Sequence, residues 1–259
     1  MTKSRVINFA NYSSIKIGPR SEVEIIEIGD SIPKERFLIG GANNLLVSDN
    51  PPPLMMLGKS YDFIRIEEGA IIAGCALKTG RLLSFVKKHD IAGFEFVAKL
   101  PGTLGGMLAM NAGVKSYEIF PLVESIEING VWRDVKEIEH GYRYAKLGGV
   151  ATRVKLRLER GYNDALRKEL LQMRNNQPKE PSAGSAFKNP EGDYAGRLIE
   201  AAGLKGKRIG NMAWSQMHAN FLVNLGGGTY QEAKALIDLA KSEVEAKFGV
   251  LLKEEIKIV

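Results

Sequence analysis

The sequence holds one cysteine, Cys75, in 259 residues. An internal disulfide is therefore impossible, and no metal ligands accompany the thiol. The residue reads as a small buried hydrophobe in a reducing compartment. Long apolar runs are also missing. None approaches the roughly 18–20 residues that cross a bilayer. The opening MTKSRVINFANYSS has no apolar core of signal-peptide length. The expectation is a cytoplasmic protein with no membrane span. There is no G-x-x-x-x-G-K-[ST] phosphate loop and no G-x-G-x-x-G closing a strand–helix unit, so two common nucleotide fingerprints are excluded. Internal repeats and low-complexity tracts are absent too. The formal charge is +6, but the basic residues are scattered. Their densest group, Lys205-Gly206-Lys207-Arg208, has no interleaved aromatics, which argues against a nucleic-acid partner and fits a small anionic substrate.

Two glycine-rich bends are what the chain does have. One is Gly40-Gly41-Ala42-Asn43-Asn44-Leu45, between short apolar runs. The other is Pro101-Gly102-Thr103-Leu104-Gly105-Gly106, followed by an apolar stretch and Asn111-Ala112-Gly113. Backbone without Cβ atoms lets a ligand approach closely. A glycine turn entering a helix is expected to offer unpaired N–H donors to a phosphate or pyrophosphate. A plain turn packed against a helix explains either bend alone.

Along the chain, Val23–Ile28, Phe37–Ile39 and Leu45–Val47 read as strands. Residues 61–75 form a hairpin about Glu68-Gly69, and residues 122–140 form another about Asn129-Gly130. Apolar spacing predicts a helix over Lys78–Lys88 and a short one near Met107–Met110. Val150–Leu158 is a further strand. Residues 164–176 form an amphipathic helix ended by Gln177-Pro178. Helices follow at about Asp193–Ala202 and from Thr229 to Phe248, the latter opened by a Thr229/Glu232 capping box. His218–Leu225 and Val250–Val259 read as strands. The fold class is α+β.

Three polar groupings stand out. Gly184-Ser185-Ala186-Phe187-Lys188-Asn189-Pro190 presents a hydroxyl, an amine and an amide on one turn. Gly141-Tyr142-Arg143-Tyr144 sets a guanidinium between two rings, suited to gripping a carboxylate. Glu254-Glu255 lies in the tail. Each has a plainer explanation: a capping serine, a solvated strand arginine, a solvated acidic pair. A lone His218 at the mouth of an apolar strand is equally readable as a structural group.

In order along the chain, these segments resemble the UDP-N-acetylenolpyruvoylglucosamine reductases, flavoenzymes of bacterial peptidoglycan synthesis. The likeness also includes Ala-Gly-Arg-Leu-Ile-Glu-Ala-Ala-Gly-Leu-Lys-Gly (195–206) and His-Ala-Asn-Phe-Leu-Val-Asn (218–224). The length is similar to the shorter form of the family, which lacks a tyrosine loop over the substrate. The resemblance implies a PCMH-type FAD-binding region over 1–158, with subdomains of about 1–50 and 51–158. It implies a substrate domain over 159–248 and a tail, 249–259, returning to the flavin side. FAD is the implied cofactor and NADPH the co-substrate, with a UDP-sugar enolpyruvyl ether as partner. No metal is implied, and the expectation is a monomer.

By the same resemblance, Gly40, Gly41, Ala42, Asn43, Asn44, Leu45, Pro101, Gly102, Thr103, Gly105, Gly106, Asn111, Ala112 and Gly113 hold the FAD. Arg143, Ser185 and Glu255 are catalytic, with Glu254 the alternative carboxylate. Lys188, Asn189 and His218 contact substrate. The chain departs from the family's habit at Met217, where a basic residue is frequent, and at Arg197 and Leu100, where lysine and isoleucine are common. Two other readings stay open: an FAD oxidoreductase with a different substrate, and a flavin- or nucleotide-sugar-binding module without turnover.

Overall fold

The computed structural model describes residues 3–172 and 177–259. The chain folds as two compact units. The first is built from Met1–Arg5, Val23–Gly41 and Pro53–Asn175, and the second from Val6–Glu22, Ala42–Pro52 and Asn176–Val259.

Strands β1 (Lys3–Asn8), β2 (Arg20–Ile26), β3 (Phe37–Leu38) and β5 (Leu54–Leu57) form a sheet in the order β1-β2-β5-β3, of which Lys3–Arg5, Val23–Ile26, β3 and β5 belong to the first unit. Both β2 and β3 run parallel to β5. Parallel strands of one sheet are usually joined by a helical crossover, yet residues 27–36 between β2 and β3 contain no helix. A cavity of about 1010 Å³ lies there, lined among others by Lys34, Arg36, Leu38, Met55, Val150 and Arg153.

A second, antiparallel sheet has the order β11-β10-β14-β7-β6. Its strands are β6 (Ile64–Glu67), β7 (Ala70–Gly74), β10 (Val123–Ile128), β11 (Val131–Asp134) and β14 (Ala151–Leu156). Its two tight turns are the predicted ones. Glu68 and Gly69 have φ of 50° and 75°, and Asn129 and Gly130 have 50° and 81°, the paired left-handed residues of a primed turn. Helices α2 (Thr79–Lys88), α3 (Leu104–Ala109) and α4 (Asp164–Gln172) complete the unit. Leu82, Val86, Leu104, Leu108, Ile126 and Val154 are fully buried in its core. Leu170 of α4 joins that core, so the unit runs past residue 158, where the sequence reading divides the chain. The last residues of that predicted helix, 173–176, lie outside the described residues. Two small hairpins also belong here: β8 (Gly113–Val114) with β9 (Tyr117–Glu118), and β12 (His140–Gly141) with β13 (Tyr144–Ala145).

The second unit contains a sheet in the order β15-β18-β17-β16. The strands are β15 (Ser182–Ser185), β16 (Arg208–Ile209), β17 (Met212–Trp214) and β18 (Phe221–Asn224). It packs with α5 (Ala195–Ala201) and α6 (Tyr230–Phe248) about Trp214, Phe187, Leu198, Leu236 and Ile237. The capping box at Thr229 and Glu232 is formed, and Gly249 ends α6 at φ 67°. The short α1 (Phe9–Tyr12) and β4 (Leu45–Leu46) belong to this unit, and β4 pairs in parallel with β19 (Lys257–Ile258). The tail strand predicted over 250–259 is thus reduced to two ladder residues and an isolated bridge between Glu254 and Phe187.

Candidate functional site

The first glycine bend leaves β3 and carries the chain from one unit into the other between Gly41 and Ala42. A Cβ on Gly40 would stand 2.6 Å from Thr103 Oγ1, so this bend lies against the second one. Ala42 adopts φ of 50°. Asn43 Nδ2 donates to Ser14 Oγ (2.6 Å), and Asn44 Nδ2 donates to the Glu255 carbonyl (2.9 Å). The two side-chain amides therefore fix the bend, while Leu45 is buried in β4.

The second bend corrects the expectation of free donors at the start of α3. Leu104 N donates to Leu77 O (2.8 Å), Gly105 N to Cys75 O (2.9 Å), and Met107 N to Thr103 O (3.0 Å). Gly106 N donates to Thr103 Oγ1 (3.3 Å). The helix start abuts the carbonyls after β7, and Gly105 permits this, since a Cβ there would sit 3.0 Å from Cys75 O. Pro101 has no N–H. Gly102, at φ 116°, and Thr103 remain as the bend's backbone donors among the described residues. An anionic ligand at this bend would meet these loop amides rather than the helix end.

Asn111 is 1% exposed. Its Nδ2 donates to Glu118 Oε2 (2.7 Å) and to Gly141 O (3.1 Å), and its Oδ1 accepts from Phe120 N (3.2 Å). The side chain thus ties the end of α3 to the β12–β13 hairpin. Ala112 is buried beside it. Arg143 sits at the tip of that hairpin with φ of 60°, a conformation that costs a non-glycine residue on the order of 1 kcal/mol. Its Nη2 donates to Gly113 O (3.0 Å), and its guanidinium carbon is 5.0 Å from the centre of the Tyr142 ring. These contacts aim the cation.

In the second unit, Gly184 at φ 83° interrupts the β15–β18 register immediately before Ser185. Such a bulge re-aims the residue that follows it. Beyond Ser185 the chain runs beside the tail. Ala186 O accepts from Glu255 N (2.8 Å), and Lys188 N donates to Lys253 O (2.9 Å). Ser185 and Glu255 therefore flank one shared main-chain contact. Glu254 is engaged elsewhere, by Lys241 Nζ of α6 (2.7 Å). Burial raises its pKa, but the Lys241 bond and its own backbone bond outweigh that and hold it below the ordinary value. Asn189 Oδ1 accepts from Ala195 N at the start of α5 (3.1 Å). His218 is half-buried with its ring edge-on to Phe221. Burial, the largest influence, lowers its pKa. Its Nδ1 accepts from Asn220 N (3.3 Å), which assigns the ring proton to Nε2 and leaves that atom as a donor.

The large cavity of the first unit contains none of the predicted site residues. Sequence reading missed Lys241 and Asn220. An amide inside the apolar run from Ala219 to Val223 was the available signal for the latter.

Comparison with known proteins decides the family. A curated UDP-N-acetylenolpyruvoylglucosamine reductase from Helicobacter hepaticus is 44% identical over 260 residues, covering 99% of each chain. The chain belongs to the UDP-N-acetylenolpyruvoylglucosamine reductase family. It is accordingly an oxidoreductase. A Campylobacter jejuni reductase of the same name is 38% identical over 259 residues, covering 98% of this chain and all of its own. The family model for the UDP-N-acetylenolpyruvoylglucosamine reductase C-terminal domain matches residues 177–259. The crystal structure of the Thermus caldophilus reductase superposes with a TM-score of 0.86 at 27% identity, covering 100% of this chain and 99% of its own. The α+β fold is that of the reductase family.

Proposed function

We propose that the chain reduces UDP-N-acetylglucosamine enolpyruvate to UDP-N-acetylmuramate, with NADPH as reductant and FAD as cofactor, in cytoplasmic peptidoglycan precursor synthesis. The observation that carries this reading is the Glu255–Ala186 main-chain contact, which sets a hydroxyl and a carboxyl on adjoining segments of a family member. FAD, held at the glycine bends, would supply the hydride chemistry that reduces the terminal methylene of the enolpyruvyl double bond, with NADPH as the source of reducing equivalents. Arg143 grips the substrate carboxylate, where negative charge builds up as the double bond is reduced. Glu255 joins it as a hydrogen-bond donor. Ser185 gives its proton to the carbon bearing the ether oxygen, acting as general acid. One hydride and one proton thus saturate the double bond. His218 Nε2–H, Lys188 and the Asn189 amide bind the UDP-sugar. The bends at 40–45 and 101–103 hold the FAD diphosphate through backbone N–H groups.

The test is anaerobic. Purified protein should be yellow, with absorbance near about 450 nm that NADPH bleaches and the enolpyruvyl substrate restores. A protein that binds no flavin, or whose reduced flavin is not reoxidised by that substrate, overturns the reading.

A further inference from the structure

Asn220 is 3% exposed and lies just before β18. Its carbonyl accepts from Ala186 N (2.8 Å). Its side chain then takes the place of a strand neighbour for the next residue. Oδ1 accepts from Phe187 N (3.0 Å), and Nδ2 donates to Phe187 O (2.8 Å). The regular β15–β18 ladder ends at the Ser185↔Phe221 pair, so this one residue continues the pairing by side chain where main chain no longer reaches. On the opposite edge, Ala186 O accepts from Glu255 N (2.8 Å) and Ile256 N (3.3 Å). The Ala186–Phe187 main chain is thus clamped between Asn220 and the tail, with Ser185 preceding the clamp and Glu255 across it.

We propose that Asn220 is a positioning residue for proton delivery, acting through Ser185 and Glu255; this rests on the roles proposed for those two residues. Only a neutral amide offers one donor and one acceptor at the spacing of a main-chain pair. Aspartate cannot donate to Phe187 O when ionised. Alanine leaves Phe187 N and O without that partner.

The experiment compares the full-length wild type, Asn220→Ala and Asn220→Ser with Asn224→Ala. Asn224 is an equally buried amide at the far end of β18, bonded to Ile15 O (3.0 Å) and to the Gly226 and Gly228 amides (both 2.9 Å). In anaerobic stopped-flow, flavin reduction by NADPH should stay within about twofold for both Asn220 variants. Reoxidation by the enolpyruvyl substrate should slow at least about tenfold, less than the roughly hundredfold or more for losing the general acid itself, with a larger solvent deuterium effect. Without flavin or substrate, hydrogen exchange at the Phe187 amide should quicken in the Asn220 variants and not in Asn224→Ala. Reoxidation slowed no more than in Asn224→Ala, at an equal margin below each unfolding temperature, overturns the proposal. So does an unchanged Phe187 exchange rate, or failure of both Asn220 variants to fold, which would make the residue one of folding alone. A wild type that never reoxidises with this substrate instead sinks the reaction assigned above.

Discussion

Glu254 and Glu255 are chemically identical neighbours that the fold treats differently. Lys241 takes the carboxylate of Glu254, while the main chain of Glu255 is bonded to Ala186 and Asn44. Glu254→Gln should leave turnover within about twofold and cost less than about 1 kcal/mol of stability, the usual value of a partly exposed ion pair. Glu255→Gln should lower turnover about a hundredfold. Steady-state kinetics on the two variants decide between them, and the reverse ranking would exchange the roles. Ser185→Ala should keep NADPH reduction of the flavin and slow reoxidation by at least about a hundredfold. Stopped-flow traces with both half-reactions unchanged would remove Ser185 from the chemistry. The glycine bends and the Gly-Ser-Ala-Phe-Lys-Asn turn were legible as residues. Which glutamate Lys241 takes was not, because that lysine lies on another element. Asn111 likewise was read as a cofactor contact from its motif, and only the tertiary structure shows its amide tying the Arg143 hairpin in place.

Elements whose cause is local were readable from the sequence. The Thr229/Glu232 capping box, the Asn129-Gly130 turn and the apolar face of α2 all formed where spacing put them. Thr229→Ala should therefore lower stability by about 1 kcal/mol, read as a shift in the urea midpoint with an unchanged slope. Strands β1, β5 and β12 to β17 were less legible, β14 excepted. Many are two to four residues long, too short for alternation to register, and they exist because a distant partner supplies their hydrogen bonds. The tail shows the same limit. Its β-branched residues suggested a full strand, but β4 and Phe187 offer it only intermittent pairing.

At the scale of the molecule, acid should weaken the fold in two stages. His218 has its pKa lowered from 6.5 chiefly by burial. The folded state favours the neutral ring, so that contribution is complete above about pH 6.5 and fades as the pH falls through the depressed value. Glu127 is lowered from 4.5 chiefly by its hydrogen bond to Arg153, with Thr152 assisting. Its contribution is full above about pH 4.5 and is lost on further acidification. Urea midpoints measured across this range should show the upper stage vanish in His218→Gln and the lower one in Glu127→Gln. Unaltered profiles would mean that neither group is linked to folding.

The α+β class was legible from the alternation of patterns. The way the chain visits its two compact units was not, because each is assembled from three separate stretches. That interleaving has a practical consequence for anyone dissecting the protein. The stretch 177–259, which a family model delimits as a C-terminal domain, lacks Ile15, Ile17 and Leu46, all buried in the core it shares with them. It also lacks β4, the partner of its own last strand. Expressed alone it should give the featureless spectra of an unfolded polypeptide in circular dichroism and proton NMR. A single cut, natural or experimental, cannot release the second unit with all three of its stretches.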